Sequence, residues 1–552
     1  MLKNLKAFAL SNKLNILTML KIFNKVNIPE ISLILLSAIF IFLSHNQTLF
    51  NNIIEIYPVA DNRIFIIFLV IIFFSISFIE VILFSLIIPT RILLTFLFFI
   101  SASFGYFSDQ YGVVFDDIMF VNIFQSNVSE SLGLVSHTLL INIILFAIIP
   151  STIIWNINVI YPKKLKGFIY KLIALAVLII LIVVSIYFSS ANFASFIREH
   201  KALKTYAIPS YPIYSLSKIV KKFLTSPLST KYKQISTNVS LPKYEEGSEL
   251  VVLIIGETAR ADHFSLNGYD RPTNPYLGKV PNLISYTNVE SCGTTTAVSV
   301  PCMFSYESSD KFNRAESART ENILDTLMKA NVNILWRDNN SDSKHVADRV
   351  TYQDFKTTEL NPVCNPECRD EGMLHDLDSY IDSNKGNKLI VLHQMGSHGP
   401  EYFKRYPKKF EKFTPACQTN ELNQCTRQEI INAYDNTILY TDYFLHKTIN
   451  FLKSYKDKYE VTLIYVSDHG ESLGENGIYL HGMPKSIAPA SQTHIPLIIW
   501  GAESTDVDIQ KTLSLRDAHH SHDKLPNTLL ELFEVTSNVH DDSQSKLIYR
   551  LH

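Results

Sequence analysis

The chain has 552 residues, more than one ordinary domain requires, and its formal net charge of -2 at pH 7 gives no support for nucleic-acid binding. Ile, Leu, Phe and Val dominate residues 31–190, whereas the remainder has the composition of a globular domain. Charge and composition therefore argue against a nucleic-acid-binding or wholly soluble protein and predict a membrane protein with a large soluble domain.

Five apolar blocks are long enough to be predicted as transmembrane helices, at 31–50, 64–86, 92–107, 138–155 and 168–188. Basic residues precede the first block and lie between the second and third and between the fourth and fifth: Lys3, Lys6, Lys13, Lys21 and Lys25, then Arg91, then Lys163, Lys164, Lys166 and Lys171. Five crossings place these groups on one side, which predicts a cytoplasmic N-terminus and an external location for everything after Ser190. The leader has no small-residue cleavage site, so an uncleaved anchor is expected.

Three regions follow from these patterns: a transmembrane domain at 1–190, a connector at 191–245 and a soluble domain at 246–552. For residues 208–224 of the connector, a basic helix at the membrane surface and a solvated linker remain alternatives. The last region alternates predicted strands, at 250–255, 333–336, 388–393, 461–466 and 495–500, with helices at 322–330, 428–452 and 525–533. This alternation predicts an α/β domain with a mainly parallel sheet.

All six cysteines lie in the soluble half, in three close pairs: Cys292 with Cys302, Cys364 with Cys368, and Cys417 with Cys425. Close pairing favours disulfides in an oxidising compartment. A thiolate zinc site is the alternative, but no CxxC pair occurs and the spacings are irregular.

Two predicted strands end directly in potential metal ligands. The aliphatic run 251–255 is followed by Gly256 and Glu257, and the run 462–467 is followed by Asp468 and His469. Because the carboxyl ends of parallel strands meet at one edge of a sheet, we expect these oxygen and nitrogen donors to form one site suited to zinc or a similar divalent ion.

A threonine-rich loop supplies a candidate nucleophile. In SCGTTTAVSVPC, residues 291–302, three threonines follow Gly293, and a metal could activate one hydroxyl while neutralising a phosphoryl oxygen. The pattern by itself does not rank Thr294, Thr295 and Thr296, and a Thr-rich turn without chemistry is the alternative.

Further donors follow strand-like runs: Glu471, His481 in YLHGMP, and His398 in GSHGP. Lys344 in RDNNSDSKH is the candidate cation for a phosphoryl group, although a solvated lysine is the default interpretation. The group His519, His520 and His522 is interpreted as structural, because it precedes an apolar helix pattern.

Together these motifs resemble the membrane-anchored phosphoethanolamine transferases of Gram-negative bacteria, especially the lipid A enzymes that include the mobile colistin-resistance proteins. The resemblance rests on GETARADHFSLNGY, SCGTTTAVSVPCMFS, WRDNNSDSK, GSHGP and SDHGESLGENGIYLHGMP, in that order. It covers nearly the whole chain and implies five spans and a periplasmic domain of the alkaline phosphatase and sulfatase superfamily, with local cysteine pairing.

The resemblance also implies roles for individual residues. It selects Thr296 as the nucleophile and implies that Glu257, Thr296, Asp468 and His469 bind one catalytic zinc. Lys344, His398 and His481 are then expected to contact phosphoethanolamine, or His398 and His481 to lie near a second metal. The family's spaced Asn, Thr and Glu fall on Asn122, Ser126 and Glu130, where Ser replaces Thr; these residues are expected to meet the lipid substrate.

The expected activity is transfer of phosphoethanolamine from phosphatidylethanolamine to a lipid A phosphate through a phosphothreonine-type intermediate. Such transfer lowers surface negative charge and weakens binding of cationic peptides such as polymyxins. The partners are therefore membrane lipids, and a monomer in the bacterial inner membrane is expected. The alternatives are a transferase for core sugars or another periplasmic acceptor, a phosphoglycerol transferase or sulfatase-like hydrolase, and an inactive membrane scaffold.

Overall fold

A computed structural model of the chain describes residues 26–126, 128–225, 232–241, 247–365, 367–540 and 546–551. Its contacts divide the chain into two compact units. The first comprises Met1–Phe120 and Val135–Thr225, and the second comprises Val121–Leu134 and Ser226–His552. Each unit has hydrophobic clusters of its own.

The first unit is a bundle of apolar helices. Four helices are long and apolar enough to cross a membrane: Val59–Phe84, Thr90–Tyr111, His137–Asn156 and Lys164–Phe188. The first predicted span is a bent pair, Glu30–Ser44 and Gln47–Ile56, with an angle of 62° between its halves. The bend follows a break at 45–46, where His45 and Asn46 are buried. The described residues therefore contain four spans, or five if the bent pair counts as one.

The segments that carry positive charge in this unit meet at one end. The strand Asn27–Pro29 pairs with Asn158–Ile160, and the Arg91 guanidinium donates to the Ile157 carbonyl at 2.7 Å. The buried Lys171 ammonium lies 3.0 Å from a Glu30 carboxylate oxygen. This arrangement puts the residues before the first predicted span at the same end of the unit as those between the fourth and fifth. The lysines from Lys3 to Lys25 lie outside the described residues.

Three further helices follow the second long helix or lie in the region predicted as a connector. They are Asp117–Gln125, which continues beyond Phe120, Ser190–Glu199 and Ser210–Thr225. The last one coincides with the basic segment for which a helix and a linker were both considered, and the structure shows a helix there.

A seven-stranded sheet forms the centre of the second unit. Its strands are β1 (Glu249–Gly256), β2 (Leu283–Tyr286), β3 (Asn333–Asp338), β4 (Thr351–Asp354), β5 (Lys388–His393), β6 (Glu460–Ser467) and β7 (Leu497–Gly501). The order is β2-β7-β6-β1-β5-β3-β4, in which β6, β1, β5, β3 and β4 are parallel and β7 is antiparallel to both of its neighbours. This confirms the predicted α/β class with a mainly parallel sheet.

Burial explains why the central strands read as continuous apolar runs. All eight residues of β1 are buried, because helices cover both faces of a parallel sheet. The principal helices of the unit are Thr296–Met303, Ile323–Lys329, Leu377–Ser383, Arg427–Leu452 and Leu525–Leu532. The long helix begins with a capping box formed by Thr426 and Glu429. A hairpin of Ser472–Glu475 and Ile478–Leu480 follows β6.

Candidate active site

Four adjacent parallel strands deliver polar side chains to the carboxyl edge of the sheet. β1 ends before Glu257 and β6 ends before Asp468 and His469, whereas β3 leads into Asn340 and β5 into His398. Glu257, Asp468 and His469 have at most 1% of their surface exposed. One ligand atom from each of these three lies within 4.8 Å of the others, so the structure brings the predicted donors together.

Thr296 completes this group from a separate element. The helix Thr296–Met303 begins at this threonine, and its hydroxyl donates to Glu257 Oε2 at 3.0 Å. The same hydroxyl lies 3.4 Å from His469 Nε2. Thr294 instead donates to the Met483 carbonyl at 2.6 Å. Of the three candidate threonines, Thr296 is therefore the one whose hydroxyl contacts both a carboxylate and an imidazole of the ligand group.

Two carboxylate oxygens in the group are candidate metal ligands. Glu257 Oε1 and Asp468 Oδ2 are buried and have no hydrogen-bond partner within the described ranges. Each lies 3.4 Å from His469 Nε2. Buried polar atoms are normally satisfied, and unsatisfied carboxylate oxygens beside an imidazole nitrogen and a hydroxyl are the donor set of a divalent metal such as zinc. The residues present thus fit a metal ion.

The pKa values of these three residues are shifted by burial, in the direction that disfavours the charged form of each side chain. Burial raises the pKa of Glu257 well above its usual value, and the adjacent Asp468 carboxylate raises it further. Burial also raises the pKa of Asp468 to about 6 and lowers that of His469 well below its usual value. A cation at this position would favour the ionised carboxylates, because it compensates the charge that burial disfavours.

Neighbouring side chains hold the ligands in place. The Asn340 amide donates to Glu257 Oε2 and to the Gln394 carbonyl, both at 2.7 Å. His469 Nδ1 contacts the Gly470 carbonyl at 2.9 Å, which leaves Nε2 directed at the ligand group. Gly396 has a φ of +52°, and a Cβ there would lie 2.9 Å from the Glu257 carbonyl oxygen. The sequence patterns did not indicate Asn340 or Gly396, because only the folded sheet places β3 and the loop after β5 beside Glu257.

Three further predicted residues surround the group. The His481 ring lies 4.4 Å from the His469 ring and 5.6 Å from the His398 ring, measured between centroids. Burial lowers the pKa of His398 well below its usual value, and nearby positive charges, Lys344 among them, lower it further. Lys344 is buried and its ammonium lies 3.4 Å from Asp342 Oδ1, so the expected default of a solvated lysine is wrong.

His481 differs from the other two imidazoles in its partner. Burial by itself would lower its pKa, but the Glu471 carboxylate, 2.8 Å from Nδ1, contributes to raising it to about 9. The raised pKa favours the imidazolium form of His481, which is the form that can donate a proton to a leaving group.

A histidine from the C-terminal part connects the threonine loop to the metal-ligand strand. His522 is buried; its Nδ1 accepts from the Cys292 amide at 3.0 Å and its Nε2 donates to the Ser467 carbonyl at 2.9 Å. Both ring nitrogens are thus used in structural hydrogen bonds. The structural interpretation of the His519 to His522 group holds for this residue.

The disulfides follow the predicted pairing. Cys292–Cys302, Cys364–Cys368 and Cys417–Cys425 are all bonded. The first bridge closes the loop that carries Thr296. The thiolate-metal alternative therefore fails for these six cysteines.

Asn122, Ser126 and Glu130 lie in the segment 121–134, which belongs to the second unit. Asn122 is in the helix Asp117–Gln125, and the Ser126 hydroxyl donates to its carbonyl at 3.0 Å. Within this unit, Asn420 donates to the Gly133 carbonyl at 2.8 Å. Glu130 lies in the helix Val128–Gly133, but its side chain is outside the described part of the chain.

Comparison with known families and proteins agrees with this geometry. A family described as Sulfatase matches residues 249–535, and one described as Phosphoethanolamine transferase EptA/EptB matches residues 70–224. The chain is 43% identical to phosphatidylethanolamine transferase Mcr-2 of Escherichia coli over 513 residues, which are 91% of this chain and 94% of the relative. It is 37% identical to phosphoethanolamine transferase EptA of Escherichia coli K12, over 93% of this chain and 96% of the relative.

A solved structure matches both units. The integral membrane lipooligosaccharide phosphoethanolamine transferase A of Neisseria meningitidis superposes with a TM-score of 0.88 at 32% identity, over 92% of this chain and 97% of that one. With the sheet edge, the threonine and both family matches in agreement, the chain belongs to the phosphoethanolamine transferase family, and its second unit has the alkaline phosphatase and sulfatase fold.

Proposed function

We propose that this chain transfers phosphoethanolamine from phosphatidylethanolamine to a phosphate of lipid A, with Thr296 as the nucleophile. One observation carries the proposal: the Thr296 hydroxyl lies 3.0 Å from Glu257 and 3.4 Å from His469, beside two buried carboxylate oxygens without partners among the described residues. The names of the relatives support the donor and a lipooligosaccharide type of acceptor.

Zinc is the metal that these donors suit, with Glu257, Asp468, His469 and the Thr296 oxygen as its ligands. When bound, zinc would favour the ionised threonine oxygen and neutralise charge on the phosphoryl group. One metal is sufficient for the residues described, and His398 and His481 then serve the substrate.

The reaction proceeds in two displacements at phosphorus. In the first, Thr296 Oγ1 forms a bond to phosphorus, the bond to the glycerol oxygen breaks, and diacylglycerol leaves with a proton donated by His481. The threonine proton passes to Glu257, to which it is already directed. In the second, an oxygen of a lipid A phosphate bonds to phosphorus and the proton of that phosphate passes to His481, while the bond to Thr296 breaks and the threonine oxygen takes back the proton held by Glu257.

Lys344 and His398 are proposed to orient the phosphoryl and ethanolamine groups. Positioning and charge neutralisation account for most of the acceleration in phosphoryl transfer, which fits a site built from buried and fixed side chains. Asn122, Ser126 and Glu130 are proposed to contact the lipid headgroup, because their segment belongs to the second unit.

The cellular arrangement follows from charge and disulfides. The N-terminus is proposed to be cytoplasmic and the second unit periplasmic, since the basic segments of the first unit meet at one end and the disulfides need an oxidising compartment. Addition of an ammonium group to lipid A reduces the negative charge of the outer surface, which weakens binding of cationic peptides.

The test is incubation of the full-length protein with labelled phosphatidylethanolamine, followed by intact-protein mass measurement and peptide mapping. A phosphoethanolamine adduct on Thr296, with release of one diacylglycerol, is the expected result. The covalent assignment would be overturned by an adduct on another residue. It would also be overturned if the wild-type protein released diacylglycerol during turnover and carried no adduct. Mass spectrometry of lipid A from expressing cells tests the acceptor, because a core-sugar transferase would leave lipid A unmodified.

A further inference from the structure

Three carboxylates converge at the edge of the sheet opposite the active site. Glu249 begins β1 and Glu460 begins β6, and the two residues are direct parallel partners. β7 runs the other way, so its end and the following Asp506 reach the same edge. One oxygen atom from each of these residues lies within 4.8 Å of the others. We call Glu249, Glu460 and Asp506 the acidic edge.

The acidic edge contains buried oxygens that nothing described satisfies. Glu249 is 5% exposed and Asp506 is 7% exposed. Glu249 Oε2 and Asp506 Oδ1 have no hydrogen-bond partner in the parts of the chain that the structure describes. Burying an unsatisfied carboxylate oxygen costs free energy, so these two atoms, from segments far apart in sequence, indicate a missing positive group between them.

The cation already present is not sufficient for the cluster. The Arg550 guanidinium contacts Asp506 Oδ2 and also Glu534, so its single positive charge is shared among several carboxylates, Glu249 among them, and Asp506 Oδ1 keeps no hydrogen-bond partner within the described residues. Glu460 is only partly buried, which gives an ion and its water molecules access from solvent.

A proton is the competing occupant. Burial, followed by the negative charges of Asp506 and Glu460, raises the pKa of Glu249 to about 10, so a proton shared between Glu249 and Glu460 would relieve part of the repulsion. A single proton can bridge the two unpartnered oxygens but neutralises only one negative charge, whereas a divalent ion neutralises two and can be coordinated by all three carboxylates. The charge of the cluster therefore favours a metal ion.

We propose that the acidic edge is a second metal site, which binds Ca²⁺ and ties the starts of β1 and β6 to the segment after β7. The donors are carboxylate oxygens alone, which suit a hard cation and differ from the mixed set that includes His469. Ca²⁺ accepts several protein carboxylates in irregular geometry, whereas Mg²⁺ demands near-ideal octahedral geometry and is usually held by only one or two, so a cluster of three carboxylates favours Ca²⁺. This site is structural and independent of the proposed transferase reaction.

The experiment measures thermal unfolding of full-length, zinc-loaded, calcium-depleted protein in detergent, with and without about 5 mM CaCl₂, which exceeds the ~10⁻⁴ to 10⁻³ M range of weak calcium sites. Wild-type protein should gain about 2 °C or more in melting temperature with Ca²⁺ and less with the same concentration of MgCl₂. Glu249→Gln should lose the Ca²⁺-dependent gain. It should retain bound zinc and transferase turnover, because Glu249 lies at the opposite end of β1 from Glu257.

The matched control is Glu503→Gln, which removes an exposed carboxylate close to Asp506 in sequence and paired with Lys456 at the surface. This variant should keep the full Ca²⁺ response. Glu460→Gln, at the partly exposed side of the cluster, and the stoichiometry of ⁴⁵Ca²⁺ binding provide the test if Glu249→Gln does not fold. No Ca²⁺ response in wild-type protein, an equal or larger response to Mg²⁺, or an unchanged response or stoichiometry in the Glu249→Gln and Glu460→Gln variants would overturn the proposal.

Discussion

Replacement of Asn340 by alanine tests whether the amide beside Glu257 is needed to hold the metal-ligand geometry. The side chain is 1% exposed, and its Nδ2 donates to Glu257 Oε2 and to the Gln394 carbonyl at 2.7 Å each. A hydrogen bond to a charged group contributes about 1.5–3 kcal/mol, and its loss corresponds to about 10- to 150-fold in an equilibrium or rate constant. We therefore expect Asn340→Ala to lower zinc affinity and kcat/KM by about 10- to 100-fold, the range typical of residues that orient metal ligands.

The assay combines equilibrium zinc titration with diacylglycerol release from phosphatidylethanolamine, both on full-length protein. The same strand provides a matched control. Asn333, at the other end of β3, also donates to two carbonyls, those of Lys385 and Asn387, at 2.7 and 3.3 Å. Asn333→Ala should change the melting temperature but neither zinc affinity nor turnover. If Asn340→Ala and Asn333→Ala had the same zinc affinity and kcat/KM, the proposed orienting role of Asn340 would be refuted.

Other contacts in the second unit make three more expectations testable. Thr296→Ala should abolish turnover and leave the protein folded, whereas Thr296→Ser should retain measurable turnover because it keeps a hydroxyl. Gly396→Ala should reduce turnover by about tenfold or more, because the added Cβ would lie 2.9 Å from the Glu257 carbonyl oxygen. A strained backbone position costs about 1–3 kcal/mol, which corresponds to such a change. Burial raises the pKa of Asp442 to about 7, so the folded protein retains a proton that the unfolded chain loses near pH 4. The free energy of unfolding should therefore fall by up to a few kcal/mol between about pH 4 and pH 7, and Asp442→Asn should remove most of this decrease.

Wild-type product from Thr296→Ala would exclude this residue as the nucleophile. Gly386 has a φ of +75°, and no atom lies within 4 Å of the position that an alanine methyl would take there. Gly386→Ala therefore shares the backbone strain of Gly396→Ala without the clash and should keep full turnover. For Asp442, melting curves at pH 5 and pH 7 are compared, and an equal pH dependence in wild type and Asp442→Asn would contradict the assignment.

Local sequence patterns predicted most of the elements that carry the site. The runs before Glu257 and Asp468 are apolar and short, and they form β1 and β6 because a strand buried on both faces needs apolar side chains at every position. The long helix Arg427–Leu452 was predicted at 428–452, since helical periodicity is a local signal. The first transmembrane span was less accurately predicted, because hydropathy does not register the break at His45 and Asn46.

Site residues divide in the same way. Those that directly follow an apolar strand or lie in a motif of the family were predicted as candidates, among them Glu257, Thr296 and Asp468, and the structure brings these three together. Asn340 and Gly396 were not found, because their importance comes from distances to Glu257 across neighbouring strands. The sequence also did not predict that Glu249 and Asp506 lie close together. Glu249 begins β1 and Asp506 follows β7, and these strands are far apart along the chain and run in opposite directions.

Residue type and spacing over short stretches are enough to specify the apolar helices, the parallel sheet, the cysteine pairing and the strand ends that bear potential ligands. Folding in three dimensions was needed to establish which threonine hydroxyl contacts the carboxylate of Glu257, which amide orients that carboxylate, and which acidic groups meet at the opposite edge. The physical reason is that strand order and direction bring distant segments within hydrogen-bond distance, and no local pattern encodes those distances.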